Sequence, residues 1–292
     1  MAYEVLARKW RPQVFQDVVG QEHITRTLVN AIRTDRLAHA YLFSGARGVG
    51  KTSVARILAK AINCTNGEPG TPCNTCHSCT EVTGGSSLDV QEIDGASNRG
   101  IEEIRELREN IKYMPSSGRY RVYIVDEVHM LTLHAFNALL KTLEEPPAHV
   151  KFIFATTDPH KVPVTILSRC QRFDFKRIPL SLMTEHLEKI ARQEGLEISK
   201  AGMALIGRKS EGSMRDAESL LDQVVSYAGK KVEDRDIADM LGILDREIIR
   251  ETAVAVLERA PKTCLEIVER IYNVGYDIRE FYRGLMDQFR DL

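Results

Sequence analysis

An α/β domain built on a parallel sheet, continued by an all-helical region, is the architecture that the 292-residue sequence predicts. Three observations lead there. Short β-branched or aromatic runs alternate with amphipathic segments over about the first 175 residues. Those runs are near-continuously apolar, the pattern of parallel strands covered on both faces. Beyond Pro179 only helical spacing continues, broken at glycines. Composition supports a soluble globular chain, with 43% hydrophobic and 28% charged residues. Lys plus Arg total 40 against 41 Asp plus Glu, a net charge of −1, which excludes a uniformly basic nucleic-acid coat and leaves any DNA contact to a local patch. No window nears the roughly eighteen apolar residues of a membrane span. The segment Met1 to Trp10 lacks the apolar stretch of a secretory signal. A cytoplasmic location follows as the expectation, and there six cysteines suggest metal binding before disulfides.

In chain order, the predicted strands are Ala40 to Ser44, Leu88 to Ile93, Arg121 to Val125 and Val150 to Ala155. A helix starts at Lys51, because Val54, Ile57, Leu58, Ala61 and Ile62 recur at helical spacing and line one face. Residues 63–87, rich in Gly, Pro, Cys and Thr, read as an insertion with its own local fold. Further helices are expected over Leu182 to Glu194, Ala201 to Arg208, Arg215 to Tyr227 and Asp234 to Leu241. From Ile243 onward two or three more follow, and the chain stops at Leu292 without a closing signal, as a shortened domain would. The expected division is 1–178, 179–242 and 243–292.

The first apolar run leads into Gly45-Ala46-Arg47-Gly48-Val49-Gly50-Lys51-Thr52, which fits G-x-x-x-x-G-K-[ST] between a strand and a helix. Glycines allow the backbone to wrap an anion so that N–H groups and the positive helix end face a phosphate. The candidate nucleotide-binding set is therefore Gly45, Ala46, Arg47, Gly48, Val49, Gly50, Lys51 and Thr52, with Ser53 next on the helix. Lys51 would bridge the β- and γ-phosphates, and the Thr52 hydroxyl would ligate Mg²⁺. The partner motif is Val122-Tyr123-Ile124-Val125-Asp126-Glu127, which brings two carboxylates to a strand's C-terminal end, where ligands bind in open α/β sheets. Asp126 would hold the Mg²⁺ through water and Glu127 would polarise the attacking water. The competing reading is that both acids merely cap the following helix.

Cys64, Cys73, Cys76 and Cys79 have the spacing C-x₈-C-x₂-C-x₂-C, suited to a closed tetrahedral zinc site that staples a loop too small for a core. An iron–sulfur cluster is the alternative. His77 reads as a surface residue, and Cys170 and Cys264 as core or interface thiols.

Taken together, these residues resemble the bacterial DNA polymerase III tau/gamma family, the AAA+ ATPases of the replicative clamp loader. The resemblance rests on Arg8-Lys9-Trp10-Arg11-Pro12 with Asp17-Val18-Val19-Gly20-Gln21, the phosphate loop, the cysteine module after its helix, and Asp126-Glu127-Val128-His129-Met130-Leu131. It continues through Asn137 to Pro147, Thr156-Thr157-Asp158-Pro159 and Ser168-Arg169-Cys170 to Gly212-Ser213-Met214-Arg215-Asp216-Ala217. It implies an AAA+ domain, a helical lid and part of an oligomerising collar. It implies that Arg169 is the arginine finger reaching ATP on a neighbouring subunit, a role that contributes about 10³–10⁵ in rate. The bland reading of Arg169 is a surface arginine. Arg215 resembles the lid arginine that contacts its own subunit's γ-phosphate, with Ser213 as helix cap; Thr157, with Thr156, occupies the position that orients the attacking water. Arg11, Pro12 and Val19 resemble the adenine-contacting arm, while Trp10 and Phe15 read as packing residues. Ser97, Asn98, Arg99 and Arg105 match the location that follows a DNA backbone, against a plain solvated helix face. The implied partners are delta, delta prime and further tau/gamma copies, the sliding clamp and primed double-stranded DNA, at the nucleoid and away from membranes. Other readings are a DExH-like helicase, suggested by residues 126–129, a non-catalytic nucleotide-binding scaffold, and a P-loop kinase.

Overall fold

The computed structural model describes residues 3–97, 107, 109–242, 246–275 and 277–291. Contacts divide the chain into two compact units, Met1–His186 with Ser210–Ser219, and Leu187–Lys209 with Leu220–Leu292.

The first unit contains five parallel strands, β1 (Ala40–Ser44), β2 (Val90–Asp94), β3 (Arg121–Asp126), β4 (Val150–Thr156) and β5 (Gln171–Asp174), in the order β2-β3-β4-β1-β5. Strand alternation sends Tyr41 and Phe43 to one face and Ala40 and Leu42 to the other, and all four are buried. On the first face they pack with Ile24 and Leu28 of the Glu22–Arg33 helix and with Val54, Ile57 and Leu58 of the Lys51–Asn63 helix. Phe136, Leu139 and Leu143 of the Leu133–Glu144 helix cover the second face. This two-sided cover explains why the central strands read as continuous apolar runs.

The edge strands depart from expectation. β2 begins at Val90 and is half-exposed instead of buried on both faces. Leu88 points to solvent, and Asp89 is buried with its carboxylate accepting the backbone N–H groups of Ser116, Ser117 and Gly118 at 2.6, 2.8 and 2.7 Å. Those residues belong to a loop rather than to a strand ladder. β5 was not anticipated, since in Gln-Arg-Phe-Asp only Phe173 faces the core.

Asp89 ties that loop to the sheet. Burial alone would raise its pKa, but the three backbone donors and the Ser117 hydroxyl together outweigh it and hold the carboxyl below its ordinary value. A depressed folded-state pKa contributes stability above the ordinary carboxylate range that disappears as pH falls through and below it. Asp89→Ala is expected to cost about 3 kcal/mol in urea unfolding at neutral pH, and the gap to the native chain should shrink in acid. A loss under about 1 kcal/mol at neutral pH would remove this role.

In the second unit a two-stranded parallel pair, β6 (Glu197–Ile198) with β7 (Lys231–Val232), accompanies the helices Lys200–Lys209 and Asp234–Leu241. The pair is too short for a periodicity signal. Glu233 and Asp236 form a reciprocal capping box at the start of the second helix. Three further helices, Arg246–Leu257, Pro261–Val274 and Ile278–Arg290, share a small core of Ile267, Ile271 and Phe281. Helices Leu180–Glu194 and Met214–Ala228 each lie within two residues of their expected limits. Among the described residues no helix is long and apolar enough to cross a membrane.

Candidate nucleotide site and cysteine cluster

The phosphate loop leaves the C-terminal end of β1, and Gly50, with φ +101°, hands the chain to the helix that opens at Lys51. Gly48 lies at φ +73°, and a Cβ there would run into the Ser213 hydroxyl. Its carbonyl accepts the N–H of Met214 at 3.0 Å. Only glycine permits both the turn and this close approach. Lys51 is buried, and its Nζ donates to the carbonyl oxygens of Gly45 and Ala46 at 2.8 and 2.7 Å. Burial lowers its pKa, while Glu127 and then Asp126 oppose the shift. The ammonium is thus placed across the mouth of an anion-wrapping loop.

The C-terminal end of β3 brings the acids to the same place. Thr52 Oγ1 donates to Asp126 Oδ2 at 2.6 Å, so the two groups expected to hold Mg²⁺ already touch. Glu127 adopts φ +45°, a left-handed conformation costly for a non-glycine residue, and makes no side-chain cap to the following turn. Glu127 thus stands at the start of the following turn without a side-chain hydrogen bond to it. Its Oε2 accepts from Thr157 Oγ1 at 2.9 Å and Thr157 N at 3.3 Å. Thr157, just beyond β4, here holds the carboxylate that would activate water.

A cavity of about 510 Å³ spans these groups. Arg47, Gly48, Val49, Gly50, Lys51, Thr52 and Ser53 line it, with Asp126 and Glu127. Arg11, Pro12 and Val19 from the N-terminal segment, and Arg215, also line it. Gly45 and Ala46 contribute carbonyl oxygens to Lys51 instead of cavity wall. Arg11 Nε donates to Ser53 Oγ at 3.2 Å, and burial, then the nearby Arg56, lower its pKa. Ser213 Oγ accepts from Asp216 N at 3.3 Å, which is the expected cap of the helix carrying Arg215. Trp10 also lines the cavity, whereas Phe15 is core.

Arg169 does not line this cavity. It donates to Glu144 Oε1 at 2.7 Å and to Thr165 O at 2.6 Å. Ser97 Oγ donates to Asp94 Oδ2 at 2.6 Å, and Asn98, Arg99 and Arg105 lie outside the described residues.

Two pairs escaped the sequence reading. His129 Nδ1 lies 3.0 Å from Thr156 Oγ1 and 3.4 Å from Glu127 Oε2. The sequence placed His129 in the motif after the acidic pair but gave it no partner. His186 and Glu218, with nitrogen and oxygen 3.4 Å apart, line the cavity as well. Glu218 follows Arg215 by three positions on one helix, so the face that carries Arg215 also presents it.

The ligand atoms of Cys64, Cys73, Cys76 and Cys79 all lie within 4.8 Å of one another. Tetrahedral zinc with bonds of about 2.3 Å needs sulfurs roughly 3.8 Å apart; Cys64 and Cys76 are at 4.0 Å. Backbone N–H groups of Gly67 and Cys73 donate to Cys64 Sγ, and those of Thr75 and Cys76 to Cys73 Sγ. Hydrogen bonds from Thr75, then Cys76, push Cys73 down to about 5, favouring the thiolate that a metal requires. Burial drives Cys79 up, the cost that a cation in the cluster would offset. The donor set fits zinc. His77 is exposed, and Cys170 packs against the core, its thiol raised to about 12 by burial.

Three stretches of the chain match families of known proteins. Residues 20–179 match the family described as DNA polymerase III, delta subunit. Residues 182–230 match the DNA polymerase III clamp loader subunit ATPase lid domain, and residues 232–292 match domain III of DNA polymerase III subunits gamma and tau. Bacillus subtilis DNA polymerase III subunit tau is 48% identical over 292 residues, covering 100% of this chain and 52% of that protein. The Escherichia coli tau subunit is 50% identical over 258 residues, 88% of this chain and 40% of that one. A Buchnera aphidicola gamma subunit is 43% identical and is covered to 78% of its length. The chain therefore spans about half or less of the tau relatives. A Thermotoga maritima RuvB structure shares the fold, with TM-score 0.61 at 17% identity over 96% of this chain and 91% of that one.

Proposed function

The chain belongs to the DNA polymerase III tau/gamma family, and from that premise we propose that it is an ATPase subunit of a replicative clamp loader. ATP binding would drive opening of a sliding clamp, and hydrolysis its release onto primed DNA. The observation that carries this reading is the convergence of Lys51, Thr52, Asp126 and Glu127 on one cavity. Lys51 supplies positive charge where the β- and γ-phosphates would lie, and Glu127, fixed by Thr157, is the base for a water nucleophile. Thr52 and Asp126 are the residues to hold Mg²⁺, which when bound neutralises charge on the phosphates. Arg11, Pro12 and Val19 would meet the base and ribose, and Arg215 the phosphates.

Three domains, 1–178, 179–242 and 243–292, would then serve as nucleotide-binding domain, lid and the start of a collar. The partners would be delta, delta prime and further tau/gamma copies, together with the clamp and primed duplex DNA, in the cytoplasm at the nucleoid. The exposed apolar side chains of Leu265, Tyr272 and Tyr282 on the last helices suit subunit association. As part of a polymerase holoenzyme this chain would carry no polymerase site of its own. Steady-state ATP turnover of the full-length protein with its loader partners should rise on adding clamp and primed DNA together. Turnover indifferent to both, or responsive to duplex unwinding, would favour the helicase or scaffold reading.

Zinc is proposed for the cysteine cluster. Elemental analysis should find about one zinc per chain, and Cys76→Ser should lose it. With it should go about 2–4 kcal/mol of stability, on the order of 5–10 °C in Tm. Iron in place of zinc, or a Cys76→Ser protein with native Tm, would contradict this.

A further inference from the structure

The helix that opens at Lys51 in the phosphate loop ends at Asn63, immediately before Cys64. One element thus joins the nucleotide cavity to the cysteine cluster. Ser53, Arg56 and Lys60 fall at i, i+3 and i+7 and share a face of it. The N-terminal segment runs along that face. Arg11 Nε donates to Ser53 Oγ at 3.2 Å, and Lys60 Nζ donates to Gln13 Oε1 at 2.7 Å. Gln13 Nε2 in turn donates to the Arg11 carbonyl at 3.0 Å, fixing the arm that lines the cavity. The same Lys60 ammonium donates to Asn74 Oδ1 at 2.7 Å. Asn74 lies between Cys73 and Cys76, at φ +59° in the turn that presents both sulfurs.

Lys60 is 2% exposed, so water cannot readily replace either acceptor, and losing one leaves a buried charge under-satisfied. We propose that Lys60 and Gln13 are positioning residues that tie the cysteine module to the nucleotide-contacting arm, so that the module's metal occupancy sets nucleotide affinity. This rests on the nucleotide and zinc readings above. Release of the metal frees the Asn74 turn, Lys60 loses its second acceptor, and Gln13 and Arg11 lose their fixed register against Ser53. Linkage makes the effect reciprocal: nucleotide must tighten metal binding by the factor by which metal tightens nucleotide.

The test uses full-length protein stripped with a strong chelator that is then removed, a fluorescent ADP analogue titrated with Mg²⁺ restored to every sample, and metal content measured in parallel. Stripping the native protein is expected to raise the analogue's Kd about tenfold, within the usual range of coupling between sites. Lys60→Met should raise Kd by a similar factor while retaining metal, and stripping should then add nothing. Gln13→Ala, at a half-buried position on the arm, should behave alike and keeps the test sound if Lys60→Met folds poorly. A Kd that stripping moves by less than twofold, or a Lys60→Met protein as sensitive to stripping as the native one, overturns the proposal. If the native protein holds no metal, the zinc reading falls and the proposal with it, while the nucleotide reading is untouched. A native protein that binds no nucleotide in either state overturns the site reading, and the proposal with it.

Discussion

Replacing Lys51 by alanine is expected to lower ATP turnover by about 10³ or more, on the order of 4 kcal/mol of barrier, and to weaken nucleotide binding at the same time. The size follows from where the ammonium sits. It is buried, and its contacts are two loop carbonyls, Gly45 O and Ala46 O, which present negative dipoles toward the space a phosphate would enter. With the charge present those dipoles are neutralised; with alanine they would face an anion in a poorly hydrated loop. Glu127 and Asp126 add negative charge nearby, as their upward pull on the Lys51 pKa indicates. No other cation has such a place in the loop itself: Arg47 lines the cavity, but no hydrogen bond joins it to these carbonyls among the described residues. Lys51→Arg should rescue little, since a planar fork cannot reproduce a point charge seated on two carbonyls 2.8 and 2.7 Å away. Turnover and fluorescent-nucleotide titration on native and variant proteins decide it, and turnover within tenfold of native would show that the loop binds phosphate without this charge.

How much was legible in the sequence depended on whether a feature is local. β1, β3 and β4 were legible because each is covered on both faces, so Tyr41, Leu42 and Phe43 must all be apolar. β5 and the β6–β7 pair were not, because an edge or two-residue strand buries one side chain or none and leaves no period to detect. Asp89 shortened β2 for a related reason: its carboxylate serves a loop nearly thirty residues further along, a partner that spacing cannot reveal. The phosphate loop and the cysteine module were readable since their ligands lie within one turn or one short insertion. Thr157 on Glu127, His129 on Thr156 and His186 on Glu218 each join separate segments, which only tertiary folding brings together. The Lys60 contacts were illegible for a further reason. A lysine on a helix that starts at a phosphate loop reads as solvent-facing, yet the insertion and the N-terminal segment bury it from both sides.

Arg169→Ala is expected to lower turnover of the assembled full-length protein by about 10³–10⁵, with nucleotide binding by the separate chain retained. Arg169 lines no part of its own chain's cavity, so any action on a phosphate must be on another chain. Its present partners do not prevent that. The Glu144 pair at 2.7 Å lies on the surface, with side chains 32% and 51% exposed, and such pairs contribute only about 0–1 kcal/mol. A γ-phosphate offers a bidentate, doubly charged acceptor in a drier setting, which outweighs a surface carboxylate. Glu144 therefore parks the guanidinium at small cost, and Glu144→Gln should change turnover by no more than a few-fold. Mixing makes the trans geometry visible. Lys51→Ala protein lacks a working pocket but keeps its finger, and Arg169→Ala protein has the reverse defect. Assemblies formed from both should recover turnover at those interfaces where a native finger meets a native pocket. If the mixture is no more active than either variant alone while assembly is intact, or if Arg169→Ala alone retains native turnover, Arg169 is an ordinary surface arginine and the inter-subunit mechanism fails.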